Sequence, residues 1–294
     1  MPTHTLGTSD EYEPYHSARW RGRIAAAWQR ELGDADPLQW YLSHPHQPVR
    51  RRPGGHTWRV RIEGAELYVK HISACYRTEQ EGGWKAGKRL RWALRRSPAM
   101  RLLRITQAMR SRGLAVPRIV HVAYRGAGLS REELVVTEAV AGKSLMRKAA
   151  GQPGELPALL ELVAEKVFEM HQAGVVHGHL LPGHMLITDD GRDVVFIDND
   201  ENRLRRRPAS WSDRMRNLGQ LAHQVSPIYR QWSPFFRAYF QRAGLPPRRW
   251  RPMLATLLQQ ARERGRHSGR SRLERGRAAR KRIAQIAARA APVS

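Results

Sequence analysis

Hydrophobic and polar residues alternate with a period of two along residues 57–72, TWRVRIEGAELYVKHI, and the alternation breaks at Gly64. The apolar positions are Trp58, Val60 and Ile62 before the break, and Leu67 and Val69 after it. This pattern predicts a β-hairpin with one buried face. Residues 116–123 and 133–140 predict two more strands, which a glycine-containing turn would join.

Helical periodicity replaces this alternation in the second half of the chain. From Leu156 to Ala173 apolar residues recur at positions i, i+3, i+4 and i+7, and Gly174 ends the run, which predicts a buried helix. We predict further helices over residues 212–225 and from Ser233 onward, and residues 100–109 also have roughly helical spacing. Strands followed by helices predict an α+β fold.

The charge of the chain limits the kind of partner it can have. The formal net charge is +26 over 294 residues. Ten of the 29 residues from Trp84 to Arg112 are Lys or Arg and none is acidic, and eleven Lys or Arg follow Ala261 against two Glu. Such a surface attracts phosphate-rich partners such as nucleic acid, anionic lipid or phosphorylated glycan.

Cysteine content and hydropathy exclude several classes of protein. Cys75 is the single cysteine, so the chain can form neither an intrachain disulfide nor a zinc cluster of cysteines. The first thirty residues lack the apolar core of a signal peptide, and no segment approaches the roughly 18 continuous apolar residues of a membrane span. We therefore expect a cytoplasmic protein that at most contacts a membrane surface.

The segment from Val175 to Asp200, VVHGHLLPGHMLITDDGRDVVFIDND, has the form of a kinase catalytic loop. In protein-kinase-like enzymes a loop H-x-D-x-x-x-x-N leads through a short hairpin to a metal-binding aspartate. Here the loop begins at His177, and the hairpin ends at Asp198. Histidine replaces the aspartate at position 179 and the asparagine at position 184.

Over roughly Pro37 to Leu245 the chain resembles the bacterial lipopolysaccharide core kinases, the heptose and Kdo kinase group. The matching segments are LQWYL, YVKHI, SRGLAVPRIV, VVTEAVAG, HQAGVVHGHLLPGHMLI and FIDND. The resemblance implies a two-lobed protein-kinase-like fold with a β-rich N-lobe and a helical C-lobe. It also implies ATP-dependent phosphorylation of inner-core sugars.

The resemblance and the change from strands to helices together suggest four segments. We expect an N-terminal extension at residues 1–36 and an N-lobe at residues 37–141, with the nucleotide-binding strands and the basic helix. A helical C-lobe with the catalytic-type loop would follow at residues 142–260, with its first residues connecting the lobes. The basic C-terminal tail would cover residues 261–294.

Several residues of the expected N-lobe would bind the nucleotide. The resemblance places Lys70 where the third-strand lysine holds the α and β phosphates, because phosphoryl transfer depends on positioning and on neutralising negative charge. Gly54 and Gly55 could bring backbone amides near phosphate, although a simple turn is an equal alternative. Glu138 would mark the hinge, with the backbone of Ala139 and Val140 facing adenine.

The loop residues would provide the metal site and the catalytic groups. Asp198 matches the magnesium ligand that bridges the phosphates, since a hard cation prefers carboxylate oxygen. The resemblance implies that histidine also occurs at position 184 in some kinases of this family, where its neutral imidazole could ligate a metal or contact phosphate. His177 would link the loop to the segment around Asp198. His179 stands where an aspartate accepts the proton of the substrate hydroxyl; histidine can accept a proton near neutral pH, but it lacks a fixed negative charge.

Two further positions differ from the family pattern. Counting back from Gly113, the helix position of the lysine's glutamate partner falls near Arg104, within a stretch that contains no acid. Glu79 or Glu81 could substitute only in a helix that begins earlier. Asn217 stands where related kinases tend to have an aspartate before leucine.

Two main hypotheses remain. The first is a lipopolysaccharide kinase that uses ATP and Mg²⁺ at the inner face of the cytoplasmic membrane. Its basic segments would contact the lipopolysaccharide core glycolipid, or another anionic glycan, and an anionic membrane. The second is a pseudokinase, in which His179, His184 and Arg104 mark a loss of catalysis and the chain binds nucleotide or a partner in envelope assembly or stress.

Nucleic-acid binding and a dedicated zinc site are the other interpretations. Tryptophans among the arginines of residues 84–92 could stack on bases, but no standard nucleic-acid motif is visible. Metal-ligand spacing is found in His177, His179, His184 and Asp198. The catalytic-loop interpretation already accounts for these four residues.

Overall fold

The chain forms two compact units with different secondary structure. A computed structural model describes residues 11–17, 19–52, 55–73, 97–225 and 231–267, without the side chains of residues 51, 52 and 260–267. The first unit comprises residues 1–107 and 117–139, and the second comprises residues 108–116 and 140–294. Most strands lie in the first unit and most helices in the second, which agrees with the α+β expectation.

An antiparallel sheet dominates the first unit, with the strand order β1-β2-β6-β7-β5-β4-β3. Its strands are β1 Tyr12–Ser17, β2 Trp20–Ala25, β3 His46–Arg52, β4 Gly55–Ile62, β5 Ala65–Ser73, β6 Ile119–Arg125 and β7 Glu132–Glu138. The predicted hairpin is confirmed as β4 and β5, which pair from Gly55 with Ile72 to Ile62 with Ala65. The residue opposite Lys70 on the neighbouring strand β7 is Val135.

The main core of the first unit covers one face of this sheet. Helices α1 (Ala26–Leu32) and α2 (Pro37–Ser43) contribute Trp28, Leu32, Leu38 and Tyr41 to it. Four of the five apolar residues predicted to face inward from the hairpin are buried there, and Trp58 is partly buried against the same cluster. The period of two along residues 57–72 therefore arises from the burial of one face of the hairpin, as predicted.

Two strands of this sheet, β1 and β2, lie within residues 1–36, where the sequence suggested an N-terminal extension. β1 and β2 pair with each other, and β2 also pairs with β6. Trp20 and Ile24 are almost completely buried. Gly22 allows the close approach of β2 and β6, because a Cβ at this position would lie 1.9 Å from the carbonyl oxygen of Val122. The alternation is hidden because polar and charged residues occupy most of the other positions in β1 and β2.

Helix α3 (Pro98–Arg110) packs on the opposite face of the sheet through Ala99 and Leu103. The carboxylate of Glu133, on β7, accepts hydrogen bonds from the Ser97 hydroxyl and from the Ala99 amide at the start of the helix. A carboxylate at this end also interacts favourably with the helix dipole. Burial nevertheless raises the pKa of Glu133. This buried contact fixes the start of the basic helix on the sheet.

The second unit is built mainly from helices and two small sheets. Its helices are α4 Leu145–Gly151, α5 Leu156–Gln172, α6 Trp211–Val225, α7 Ser233–Arg242 and α8 Trp250–His267. Its strands are β8 Gly142–Ser144, β9 Val175–Val176, β10 Met185–Thr188, β11 Val194–Phe196 and β12 Arg203–Leu204. The predicted helices over 156–173 and 212–225 are confirmed within a residue or two. Among the described residues, no helix has the length and apolarity needed to cross a bilayer.

Residues 142–155 are more regular than the predicted connection between lobes. Gly142–Ser144 pair with β10 in the three-stranded sheet β11-β10-β8, and α4 follows directly. A Cβ at Gly142 would lie 2.4 Å from the carbonyl oxygen of Ile187, so glycine allows this strand to approach β10. The Gly, Lys and Ser content that suggested a linker therefore belongs partly to a strand.

The imidazole of His121 gives the first unit a built-in sensitivity to acid. The side chain is completely buried beside Tyr15, with ring centroids 4.5 Å apart, and neither ring nitrogen has a hydrogen-bond partner among the described residues. Burial lowers the pKa of His121 to about 3. An unfolded histidine titrates near pH 6.5, so the unfolded chain binds a proton that the folded chain excludes, and stability is lost as the pH falls below about 6.5.

We predict that His121→Phe raises the free energy of unfolding by about 1–3 kcal/mol at pH 7, because it removes a buried polar group without a partner. The gain should be about 2 kcal/mol larger at pH 5. Protonation of unfolded His121 costs the native chain about 1.4 kcal/mol of stability for each of the 1.5 pH units below 6.5, and the variant does not have this cost. Urea unfolding at both pH values measures this. His16→Ala, at an exposed histidine on β1, should leave the pH dependence unchanged, and an equal pH dependence in native chain and His121→Phe would contradict the prediction.

Candidate functional site

The catalytic-type loop lies in the second unit between a buried helix and a hairpin. Helix α5 ends before Gly174, whose φ of +70° starts the turn into β9. A 3₁₀ turn at Pro182–His184 then leads into β10, and β10 pairs with β11 as the predicted hairpin. The Ile197 amide donates to the carbonyl oxygen of His184 at 3.0 Å. The two ends of the hairpin therefore bring residue 184 close to residue 198.

The side chain of His177 is buried and bonds to the loop and to the segment before Asp198. Its side chain is 1% exposed, and burial lowers its pKa to about 4. Nδ1 accepts a hydrogen bond from the His179 amide at 3.1 Å, so the proton is on Nε2, which donates to the Ile197 carbonyl at 3.2 Å. Because both nitrogens are used, this histidine is neutral and cannot act as a base or as a metal ligand in this arrangement.

A buried amide on helix α6 holds the backbone at the start of the loop. Asn217 is 0% exposed, and its Oδ1 accepts from the His177 amide at 2.9 Å. Its Nδ2 donates to the His177 carbonyl at 2.6 Å. Gln220, one turn further along the helix, donates to the Gly178 carbonyl and accepts from the Leu180 amide. The asparagine that replaces the expected aspartate therefore uses its NH₂ group as a donor.

A second pair of buried amides positions the other side of the loop. The Asn202 side chain accepts from the Gly178 amide at 3.0 Å and donates to Oδ1 of Asn199 at 2.9 Å. Asn199 in turn donates to the carbonyl of Phe196, at the end of β11. Gly178 is needed here because a Cβ would lie 2.3 Å from the Cβ of Glu201. No local sequence pattern indicates this network, because Asn202 and its partner Gly178 lie 24 residues apart along the chain.

His184 and Asp198 face each other at the open end of the hairpin. Nδ1 of His184 lies 2.9 Å from the His179 carbonyl oxygen, so it carries the proton and donates it. Nε2 of His184 then lies 3.4 Å from Oδ2 of Asp198. The Asp198 side chain is 41% exposed and that of His184 is 20% exposed. This arrangement leaves a carboxylate and an imidazole nitrogen available to a ligand from solvent.

Asp198 also has an unusual backbone conformation. Its φ of +63° and ψ of +48° lie in the left-handed region, which residues other than glycine rarely adopt. Aspartate adopts this region more often than most residues, and residues held in it cluster at active sites and ligand-binding segments. The backbone conformation therefore agrees with the predicted role of Asp198 as a ligand, which stays a prediction.

His179 occupies the position of the expected proton acceptor. The residue is exposed, and its imidazole makes no hydrogen bond to another described residue. Its ring meets that of His184 edge to face, with centroids 5.4 Å apart. The donor atoms of His179, His184 and Asp198 all lie within 4.8 Å of one another. Three of the four residues predicted as a possible metal cluster therefore come together, and His177 stands apart because its nitrogens are already bonded.

The predicted nucleotide-binding residues lie in the first unit or at its boundary. Lys70 is partly exposed on β5, and no acidic residue that the structure describes pairs with it. Gly55 begins β4, whereas Gly54 lies outside the described residues. Glu138 ends β7, and its carboxylate pairs with Arg118 at 3.2 Å. Val140 begins the second of the two segments that form the second unit.

The backbone at the expected hinge is partly committed within the first unit. The Glu138 amide donates to the Arg118 carbonyl, and the Ala139 amide donates to the Glu66 carbonyl at 2.8 Å. Neither amide is then available to an adenine ring. Of the residues expected to face adenine, Val140 is the one whose amide this network leaves unused.

Along the residues of helix α3, from Pro98 to Arg110, the structure shows no glutamate that could pair with Lys70. Arg104 lies on the exposed face of α3, where its Nε bonds to the carbonyl of Met100 one turn earlier. No acidic residue occurs between Pro98 and Arg110. Glu79 and Glu81, the suggested substitutes, lie outside the described residues.

Comparisons with known proteins agree with this architecture. A solved structure of WaaP in complex with acyl carrier protein matches 82% of this chain and 97% of that chain, with a TM-score of 0.57 and 21% identity. A thermostable mutant of aminoglycoside phosphotransferase APH(4)-Ia, in apo form, matches 87% of this chain and 99% of that chain, with a TM-score of 0.50 and 13% identity. These similarities confirm the protein-kinase-like fold.

The sequence family is shown independently. No curated protein matches the chain. The model of the lipopolysaccharide kinase (Kdo/WaaP) family matches residues 55–239, which is more than half of the chain and includes both Lys70 and Asp198. The predicted resemblance is confirmed: the chain belongs to the lipopolysaccharide kinase (Kdo/WaaP) family.

Proposed function

We propose that this protein is an ATP-dependent kinase that phosphorylates a heptose or Kdo hydroxyl in the inner core of lipopolysaccharide. The observation that carries the proposal is the intact frame of the catalytic-type loop. Buried His177 bonds to the segment before Asp198, and the Asp198 carboxylate reaches solvent beside His184. Phosphoryl transfer needs this kind of rigid positioning more than it needs covalent chemistry from the protein.

Nucleotide use is supported by the related fold. A thermostable mutant of APH(4)-Ia was solved as a ternary complex with ADP and hygromycin B, and it matches 87% of this chain with a TM-score of 0.50 and 13% identity. Lys70 would neutralise phosphate charge, and its ammonium has no acidic partner among the described residues. The backbone around Val140 and the strand start at Gly55 would complete the nucleotide site.

Magnesium fits this site through Asp198. Mg²⁺ prefers oxygen ligands and is usually bound by one or two carboxylates together with substrate phosphates and water. The exposed Asp198 carboxylate meets this requirement, while His184 offers a nitrogen, which Mg²⁺ accepts less readily. When bound, the metal would neutralise charge that develops on the transferred phosphoryl group.

His179 would orient the acceptor hydroxyl and take its proton. Its imidazole is exposed and makes no hydrogen bond to another described residue, so a substrate could approach it. A histidine cannot supply the fixed negative charge of an aspartate. The pseudokinase alternative rests on this exchange and on Arg104, which occupies the position expected for the lysine's glutamate partner.

We predict that Asp198→Ala and Lys70→Ala each lower phosphate transfer from ATP to core glycolipid by about 100-fold or more, equivalent to about 2.7 kcal/mol, because each removes a charge that stabilises the transferring phosphoryl group. Transfer of labelled phosphate in the presence of Mg²⁺ measures this. Asp189→Ala and Arg61→Ala, at exposed charges of the hairpin turn and of β4, serve as controls. The proposal would be refuted if the native chain transferred no more phosphate than the double mutant Lys70→Ala, Asp198→Ala.

His179 gives the test that separates the two hypotheses. We expect the native chain to be active and His179→Ala to lose about 100- to 10,000-fold in rate, as removal of a general base does. The same assay with His179→Asp measures what a fixed carboxylate adds. Activity that appears only in His179→Asp would instead establish the pseudokinase alternative.

We also propose that basic segments hold the protein against an anionic glycolipid surface, as the net charge of +26 suggests. Each Lys or Arg near an anionic leaflet contributes about 1 kcal/mol. We expect cosedimentation with vesicles that contain anionic lipid, little with zwitterionic vesicles, and a strong decrease between about 50 and 500 mM salt because the charges are screened. Binding that ignores both lipid charge and salt would exclude this contact.

A further inference from the structure

Two imidazole rings and one carboxylate converge at the end of the β10–β11 hairpin. The donor atoms of His179, His184 and Asp198 lie within 4.8 Å of one another. Zinc bonds of about 2.0–2.2 Å at tetrahedral angles place two ligand atoms about 3.4 Å apart. The 3.4 Å between Nε2 of His184 and Oδ2 of Asp198 already matches this separation. For His179 to bind the same ion, its exposed side chain would have to rotate so that a nitrogen now within 4.8 Å of the other two ligand atoms reaches about this separation.

The protonation of His184 leaves the correct nitrogen available. Its Nδ1 donates to the backbone carbonyl of His179, so in the neutral ring the lone pair is on Nε2 and points towards Asp198. Metal-binding histidines usually donate their other ring N–H to a carbonyl or carboxylate in this way, which fixes the tautomer and the ring orientation. One residue, His179, therefore supplies both a possible ligand and the carbonyl that orients the second ligand.

The backbone holds the two better-placed ligands before any ion binds. The Ile197 amide bonds to the His184 carbonyl, so the residue before Asp198 is tied to His184 itself. Asn199, which follows Asp198, is 5% exposed and bonds to Phe196 and Asn202. Movement of Asp198 away from His184 is restricted on both sides.

The chemistry of these ligands selects the kind of ion. Two imidazoles with one carboxylate suit first-row transition metals, whereas all-oxygen sites suit magnesium and calcium. Three protein ligands with one open position are also the pattern of catalytic zinc sites. We propose that His179, His184 and Asp198 form a binding site for a transition-metal ion such as Zn²⁺, and that the ion binds there in the absence of nucleotide.

This site goes beyond the proposed kinase function and does not depend on it. A magnesium ion held between Asp198 and the phosphates of ATP needs no nitrogen from His179. A zinc ion would use His179 as a ligand, so that residue could not accept a proton at the same time. An ion pair between a protonated His184 and Asp198 would bring those two groups together without any metal, but it would not involve His179.

The test is zinc titration of the full chain after removal of metal by a chelator, in the absence of nucleotide. Calorimetry with ZnCl₂ should show one tight equivalent. His179→Ala, His184→Ala and Asp198→Asn should each weaken it by at least about tenfold, since even loss of a group that only orients a ligand costs 10- to 100-fold. His16→Ala removes an exposed histidine outside the cluster and should bind zinc as the native chain does. A hundredfold excess of MgCl₂ should not displace the zinc.

Cobalt distinguishes binding by the three residues together from nonspecific binding to single exposed histidines. Co²⁺ bound by the three residues should produce visible absorption bands that disappear in His179→Ala. Circular dichroism confirms that this variant is folded, which we expect because His179 is exposed. The proposal is overturned if His179→Ala binds Zn²⁺ as tightly as the native chain, or if equimolar Mg²⁺ competes for the site. If the native chain binds zinc as expected but transfers no phosphate to core glycolipid, the kinase proposal alone is refuted.

Discussion

The geometry of the candidate site depends on the buried amide of Asn217. Its Oδ1 accepts from the His177 amide and from His171, at 2.9 and 3.1 Å, and its Nδ2 donates to the His177 carbonyl and to Gln220. All of its hydrogen-bonding capacity is thus used in a position without solvent. A carboxylate there would face the His177 carbonyl without a donor, at the cost of an unsatisfied buried group. Asparagine at this position is therefore compatible with a rigid loop, because its NH₂ group donates the hydrogen bonds that a carboxylate could not.

The loop keeps its shape because the frame uses the backbone of residue 179 and not its side chain. The His179 amide donates to His177, and its carbonyl accepts from His184. Any residue except proline could supply these two groups. Exchange of the expected aspartate for histidine consequently changes the chemistry at the open end of the loop without changing the fold around it. This explains how a family member can keep the catalytic frame while it alters the group that would contact the substrate.

Local patterns predicted those parts of the fold in which one face is buried and the other is polar. The β4–β5 hairpin and helices α5 and α6 all have this property. Strands β1 and β2 were missed because polar and charged residues hide their few buried positions, such as Trp20 and Ile24. In the site, the structure brings together three residues that the loop motif indicated, His179, His184 and Asp198. The motif could not reveal Asn202 or Gln220, because their partners in the loop lie 24 and about 40 residues away along the chain.

The two histidine replacements both change which metal ions the end of the hairpin would favour. An aspartate at position 179 would place a second negative charge near Asp198, and an asparagine at position 184 would add an amide oxygen, so both residues would favour a hard cation. Histidine at both positions removes one negative charge and adds two nitrogen donors. In the proposed kinase site, attraction for a magnesium–nucleotide complex would then depend on Asp198 and on basic residues such as Lys70, while the nitrogen donors would favour softer ions. The replacements are therefore better understood as one change in ligand chemistry than as two separate losses of catalytic groups.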